Sequence, residues 1–180
     1  MFSKEVIETD NLPLDNKLGA IYSINQSSVN SYTHGFFKYP CKFIPEIPRW
    51  AIKKYVKDKD ESILDPFTGS GTTLLEAAIN GNNSYGIEID EVAKLISRVK
   101  TEKYNKKEVK SIQDEFEKII SEYDNKKKYR VPEIDNLEHW FPKENIQELG
   151  KILQQINEID NVKIKNFFKV CFVSIIKKCS

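Results

Sequence analysis

The 180-residue chain contains no Pro-Pro pair, only three cysteines and two histidines, and no apolar run of the roughly 18 residues that a membrane-spanning helix needs. Cys41, Cys171 and Cys179 are odd in number and lack metal-ligand spacing, and His34 and His139 stand far apart with no Cys/His cluster between them. Neither zinc chemistry nor a histidine-activated nucleophile is expected, and no metal ligand is assigned. With no signal peptide or spanning segment in view, a reduced, cytoplasmic protein with no membrane partner is the expectation. Charge is nearly balanced: 28 Lys and Arg against 27 Asp and Glu leave a net +1, too little for a strong global pull on nucleic acid. The lysines at Lys106-Lys107, Lys126 to Lys128 and Lys177-Lys178 read as solvated faces.

Glycine is also scarce, yet two of the seven, Gly69 and Gly71, stand two residues apart. The short apolar run Ser62-Ile63-Leu64 before them ends at Asp65-Pro66, where proline stops a strand. Thr72 to Asn80 then carries Leu74, Leu75, Ala77, Ala78 and Ile79 and reads as a helix opening on the glycines. After the turn cluster Asn80-Gly81-Asn82-Asn83, Tyr85 to Asp90 reads as a second strand with acids at its end. A strand, glycine turn, helix and strand in this order form a right-handed crossover that places the helix N-terminus at the carboxyl edge of a parallel sheet. Glu88 at the tip of the second strand can accept the hydroxyl protons of a ribose, so the turn suits an adenosine-containing cofactor. Spacing alone does not choose which one. Leu74 stands where a dinucleotide fingerprint wants its third glycine, and no lysine follows Gly71 as a Walker motif requires.

Asp65-Pro66-Phe67-Thr68-Gly69-Ser70-Gly71-Thr72-Thr73 resembles motif I of the DNA methyltransferases that modify exocyclic amino groups of bases, and Gly86-Ile87-Glu88-Ile89-Asp90 resembles the acidic motif after it. The stretch Thr33 to Val56 resembles motif X of the same enzymes, a proline-containing loop leading into a helix beside motif I. The resemblance implies a Rossmann-like class I α/β methyltransferase fold, here partial, with a helical C-terminal extension. It implies S-adenosylmethionine as cofactor. The backbone of Gly69 to Gly71 would lie against its methionine part, Phe67 would pack near it, Asp65 would reach its amino-acid end and Glu88 would take the ribose hydroxyls. Thr68, Thr72, Thr73 and Ile89 complete the cofactor set from the motif I side, and Tyr39, Pro40, Lys42 and Phe43 from the motif X loop, with Pro45 opening the helix.

The catalytic motif IV of that family reads Asp/Asn/Ser-Pro-Pro-aromatic, and the chain has no Pro-Pro anywhere; Asp65-Pro66-Phe67 already belongs to the cofactor turn. That motif holds the target amine and stacks the flipped base, so no catalytic residue is assigned here. The resemblance therefore implies the cofactor-binding part of a site-specific methyltransferase acting on cytosine N4 or adenine N6 of double-stranded DNA, in restriction-modification. Motif IV and most of the DNA grip would come from a second subunit or a C-terminal continuation. The alternatives are a non-catalytic S-adenosylmethionine-binding regulator, which the missing motif favours, and a nucleotide-dependent oxidoreductase.

The expected organisation is an irregular lead-in over 1–32, with the polar Ser27-Ser28 stretch, a cofactor-binding core over 33–105 and a helical segment over 106–180. Further helices are expected at Asp90 to Tyr104, Glu108 to Tyr123, Lys143 to Ile159 and Val162 to Cys179. His34 reads as a structural histidine or a contact to cofactor or DNA, and Trp140-Phe141 as an anchor of a core or of a domain contact. Apolar residues spread around most of the last helix, more widely than a single stripe, which predicts docking of Val162 to Ser180 on a second subunit or a continuation of the chain; the competing account is burial by the helices from Glu108 to Ile159 folding back on it.

Overall fold

The computed structural model describes residues 6–25, 31–40, 42–123 and 129–180. Ser27-Ser28, Cys41 and Lys126 to Lys128 lie outside them, as does the side chain of Lys177. The protein is mixed α/β, rich in helix, with two small parallel sheets among the described residues. It divides into two compact units, Met1–Thr101 and Glu102–Ser180.

The first unit begins with β1 (Val6–Thr9) and β2 (Ile21–Ile24), paired in parallel with Val6 opposite Ile21 and Thr9 opposite Ile24. This corrects the expectation of an irregular lead-in. Val-Ile-Glu-Thr and Ile-Tyr-Ser-Ile are β-branched or aromatic at three of their four positions, and four residues each are too few to separate from loop by pattern. Helix α1 (Glu46–Tyr55) follows Pro45 at its cap. Pro48 falls in its first turn, where a missing N–H leaves no intrahelical bond unmade.

Next come β3 (Ile63–Asp65), α2 (Thr72–Asn80) and β4 (Ser84–Gly86), with Ile63 opposite Ser84 and Asp65 opposite Gly86. The α2 limits are those the apolar spacing predicts. Gly81, at φ 87°, ends the helix in the left-handed conformation, its N–H reaching the carbonyls of Ala77 and Ala78. The expected second strand is shorter than its apolar run. The N–H of Ile87 still reaches the Asp65 carbonyl at 2.9 Å, but Glu88 lies beyond the strand. Asn82 braces the entry to β3, donating to the carbonyls of Asp58, Lys59 and Glu61. Asp90 then caps α3 (Glu91–Thr101) by accepting from Ala93 N at 2.6 Å.

The second unit holds α4 (Lys106–Ser121), α5 (Leu137–Trp140), α6 (Lys143–Glu158) and α7 (Val162–Cys179). Helix α4 starts two residues before its expected Glu108, because Asn105 and Glu108 form a reciprocal capping box. The core of this unit gathers Leu149, Ile156, Ile159, Ile164, Phe168 and Phe172, with Ile112, Ile119, Phe141 and Leu153 packed against it. The broad apolar surface of α7 is thus met in part from inside the unit: α4 and α6 both pack on it. Two helices cover what a single packing neighbour could not, so the competing account, burial by the preceding helices, holds for the side chains in this core. Phe141 anchors as expected, whereas Trp140 is 64 % exposed, edge-on to His139.

Candidate cofactor site

Between β3 and α2 the chain turns at residues 66–71, and hydrogen bonds fix the backbone of that turn at several points. The Phe67 N–H bonds the Asp65 carboxylate at 3.0 Å, and the Thr68 hydroxyl bonds the Asp65 carbonyl at 3.0 Å. Thr68 N–H reaches across to the Ile87 carbonyl at 3.1 Å, which ties the turn to the exit of β4. Gly71 N–H returns to the Thr68 carbonyl at 2.9 Å. Gly69 and Gly71 both have positive φ, 51° and 80°, a region costly to residues with a Cβ. At Gly71 space forbids one as well, since an added Cβ would lie 2.3 Å from Ser97 Oγ on α3. Gly86 is similarly closed by Thr68. Helix α2 has no side-chain cap at its start, which leaves its leading N–H groups to water or a ligand.

Glu88 closes the turn from the other strand. Its Oε2 accepts from Gly69 N–H at 2.7 Å, and its Oε1 accepts from the N–H groups of Ile89 at 2.8 Å and Asp90 at 3.0 Å. The Asp90 N–H does most to hold this carboxyl below the ordinary carboxylate range, opposed by desolvation and helped by Gly69, Ile89 and Lys94. A carboxylate offers about four acceptor positions, so the open one is on Oε2. The sequence located this carboxylate; its bond to the glycine turn is a tertiary fact.

The other expected residues divide into two groups. Tyr39 comes to the turn: a Cβ at Gly69 would lie 3.9 Å from its ring. Thr68 and Thr72 are buried at the turn and Thr73 is half-buried. Phe67 and Ile89 flank it almost fully exposed, at 88 % and 92 %. Pro40 and Phe43 stand exposed on the preceding loop, and Lys42 is directed to the His34 carbonyl at 2.9 Å.

Behind the turn lies a buried polar cluster that pattern reading missed. Glu76 on α2 accepts from both Arg49 nitrogens, Nε and Nη2, at 2.8 Å, and meets His34 Nε2 at 2.7 Å. Burial pulls the Glu76 carboxyl upward, but the bonds from His34 and Arg49 outweigh it and hold it low. His34 is therefore a structural histidine, joining the loop before α1 to α2. Lys100, at the end of α3, is 4 % exposed; its Nζ donates to the Ser70 carbonyl at 3.2 Å and lies 3.5 Å from Thr72 Oγ1. Both residues had a signal in the sequence: a single acid within the apolar face of α2, and a lysine in register with Ala93 and Ile96 on the buried face of α3. Among the described residues no group of three or more His, Cys, Asp or Glu could hold a metal, and no helix is long and apolar enough to cross a membrane.

A glycine turn pinned between parallel strands, with a carboxylate bonded across it, agrees with what comparison with known proteins finds. A family described as RMKL-like, methyltransferase domain, matches residues 54–151, which include the turn and Glu88. More narrowly, the DNA methylase family of N6 and N4 type matches residues 3–99, more than half of the chain, and the chain belongs to that family. It is similar to the Type II methyltransferase M.MvaI of Kocuria varians, 28 % identical over 162 residues, covering 86 % of this chain and 36 % of that protein. It is similar to M.BsoBI of Geobacillus stearothermophilus, 28 % identical over 158 residues, covering 86 % of this chain and 30 % of that one. Against M.MjaII of Methanocaldococcus jannaschii, identity is 37 % over 89 residues, 49 % of this chain and 17 % of that protein. The chain thus spans about a third or less of the length of these relatives. No solved structure matches it.

Proposed function

We propose that this chain is the S-adenosylmethionine-binding part of a DNA methyltransferase that modifies an exocyclic amine, cytosine N4 or adenine N6, in restriction-modification. The observation that carries the reading is the bond from Gly69 N–H to Glu88, which sets a ribose-competent carboxylate beside a glycine turn at the carboxyl ends of β3 and β4. The residues fit such a ligand: the turn has no side chain at Gly69 or Gly71, the N-terminus of α2 suits a carboxylate, and Glu88 Oε2 keeps one acceptor position for a hydroxyl. Asp65, Phe67, Thr68, Gly69, Gly71, Thr72, Thr73, Glu88 and Ile89 would hold it, with Tyr39, Pro40, Lys42 and Phe43 closing the site. When bound, the cofactor supplies an electrophilic methyl group on a sulfonium. The chain's own task is to bind and orient it.

The fold we propose is a Rossmann-like class I methyltransferase, of which 33–105 is the cofactor-binding core and 106–180 a helical segment. A parallel pair is ordinarily one part of a larger sheet covered on both faces. Here Leu64 and Tyr85, opposite one another in register, are 62 % and 64 % exposed. That open apolar face supports further polypeptide, a second subunit or a continuation of the chain, that completes the sheet and carries the Pro-Pro motif for the target amine and most of the grip on double-stranded DNA.

The test is calorimetry with S-adenosylhomocysteine and, separately, NAD. The chain should bind the first and not the second, and Glu88→Ala should weaken binding roughly ten- to a hundredfold, the loss expected for hydrogen bonds to a charged acceptor. Preference for NAD would replace the reading with an oxidoreductase, and unchanged affinity in the variant would move the ribose elsewhere.

A further inference from the structure

Lys100 is a lysine where a lysine is costly. It is buried, and the described residues place no carboxylate within hydrogen-bonding reach of its Nζ; Glu76 on α2 is engaged by His34 and Arg49. The other charge facing it is like its own, Lys42 on the loop before α1. An apolar side chain of similar length would fill the same space without that penalty. What the ammonium does at this position is reach the underside of the glycine turn, where the Ser70 carbonyl points into the protein. Ser70 is itself 2 % exposed, and its hydroxyl has no hydrogen-bond partner among the described residues.

The helix carrying Lys100 is fixed against the turn at several points. Ser97, one turn earlier on α3, closes against Gly71, and Thr33 Oγ1 donates to the Lys100 carbonyl at 2.7 Å. The Ser70–Gly71 peptide is consequently held at both ends, its carbonyl by Lys100 and its N–H by the Thr68 carbonyl. We infer that Lys100 is a positioning residue of the cofactor site, orienting the Ser70–Gly71 peptide plane from below and so setting the backbone against which the ligand lies. The inference rests on the S-adenosylmethionine reading for the identity of the ligand, and not for the positioning of the turn.

A consequence in pH follows. Burial first, and then Lys42, push the Lys100 ammonium down to about 8, with Glu76 opposing. A charged donor holds a carbonyl more strongly than a neutral amine, so the grip on Ser70 weakens as pH rises through that value. The contribution of Lys100 to fold stability runs the other way. Its folded value lies below its unfolded value near 10.5, so the unfolded chain binds more protons between about 8 and 10.5, and stability from this group rises across that window. A lysine with a merely structural role would not make ligand affinity fall while stability rises.

The experiment uses the full chain, Lys100→Gln and Lys100→Met. Affinity for S-adenosylhomocysteine is measured by calorimetry from pH 7 to 9.5, and the Gly71 amide is followed by NMR without ligand over the same range. The glutamine variant keeps a donor but cannot titrate, so its profile reports the ionisation of the ligand and of every protein group other than Lys100. The parent should lose about thirtyfold more affinity than Lys100→Gln across the range, the fall expected when one group must stay protonated roughly 1.5 units above its midpoint near 8. Lys100→Met should bind more weakly than either at pH 7. The Gly71 amide should titrate with a midpoint near 8 in the parent and stay flat in Lys100→Gln. Parallel affinity profiles with an unmoving Gly71 amide would overturn the inference, and the parent's amide titration decides it even if both variants fail to fold. Should the parent bind no ligand at any pH while Gly71 titrates near 8, the positioning of the turn stands and the cofactor reading falls.

Discussion

Glu76 shows how one residue holds two segments of the first unit together. Its carboxylate is 1 % exposed and engages Arg49 from α1 and His34 from the preceding loop, so both depend on its charge. Removing that charge leaves a guanidinium facing a neutral amide in a water-poor site. Glu76→Gln should therefore cost about 2–4 kcal/mol of stability at pH 7, measured by urea unfolding. The sign with pH is fixed by the lowered carboxyl: its contribution is fully present above the unfolded value near 4.5 and is lost as pH falls through the folded value. The difference between parent and variant should thus shrink in acid. A gap that stays constant from pH 7 to 3 would show that Glu76 acts by shape and not by charge.

Among the elements, α2 and α7 have the limits that apolar spacing predicts, because each has a strong local stop: Gly81 in the left-handed conformation after α2, and Asn161 accepting from Lys163 and Ile164 N–H at the start of α7. What spacing left open for α7 was its neighbours. Ile164, Phe168 and Phe172 are buried within the core of the second unit, against side chains of α4 and α6. Phe168→Ala should cost about 3–5 kcal/mol, the range for removing a buried aromatic ring, and should lower the urea midpoint. A loss below about 1 kcal/mol would mean that Phe168 is not held by that core. The short strands β1 and β2 illustrate the opposite case. Parallel pairing joins segments through a longer crossover and not through one tight hairpin turn, so nothing within either four-residue stretch announces its partner.

At the scale of the molecule, the described residues contain a glycine turn with its supporting helices and sheets of two strands each. Large apolar side chains remain exposed around the turn and the second sheet: Leu64, Phe67, Tyr85, Ile87 and Ile89. The proposed division of labour makes a definite prediction for the chain by itself. Incubated with labelled S-adenosylmethionine and mixed-sequence duplex DNA, it should bind the cofactor and transfer no methyl group, because no Pro-Pro segment is present to hold the target amine. Transfer should begin when a polypeptide carrying Asp/Asn/Ser-Pro-Pro-aromatic is supplied. Turnover by the chain alone would reveal a catalytic segment of another kind, and binding without transfer even with that polypeptide would favour the regulatory module.

The sequence by itself determined the order of the crossover, strand, glycine turn, helix and strand, and the limits of α2. Asp-Pro and Gly-x-Gly act through backbone limits that operate within a few residues, so the strand stop, the turn, the start of α2 and the position of Glu88 were all legible, as were family and cofactor expectation. Only the tertiary structure decided what those groups touch. Glu88 bonds to Gly69 because the Asp65 and Thr68 backbone pairs with Ile87, and Gly71 must be glycine because Ser97, on a different helix, occupies the space of its side chain. Lys100 and Glu76 belong to the same class. A buried charge is tolerable only where partners from distant segments converge on it, and a linear pattern carries no record of that convergence.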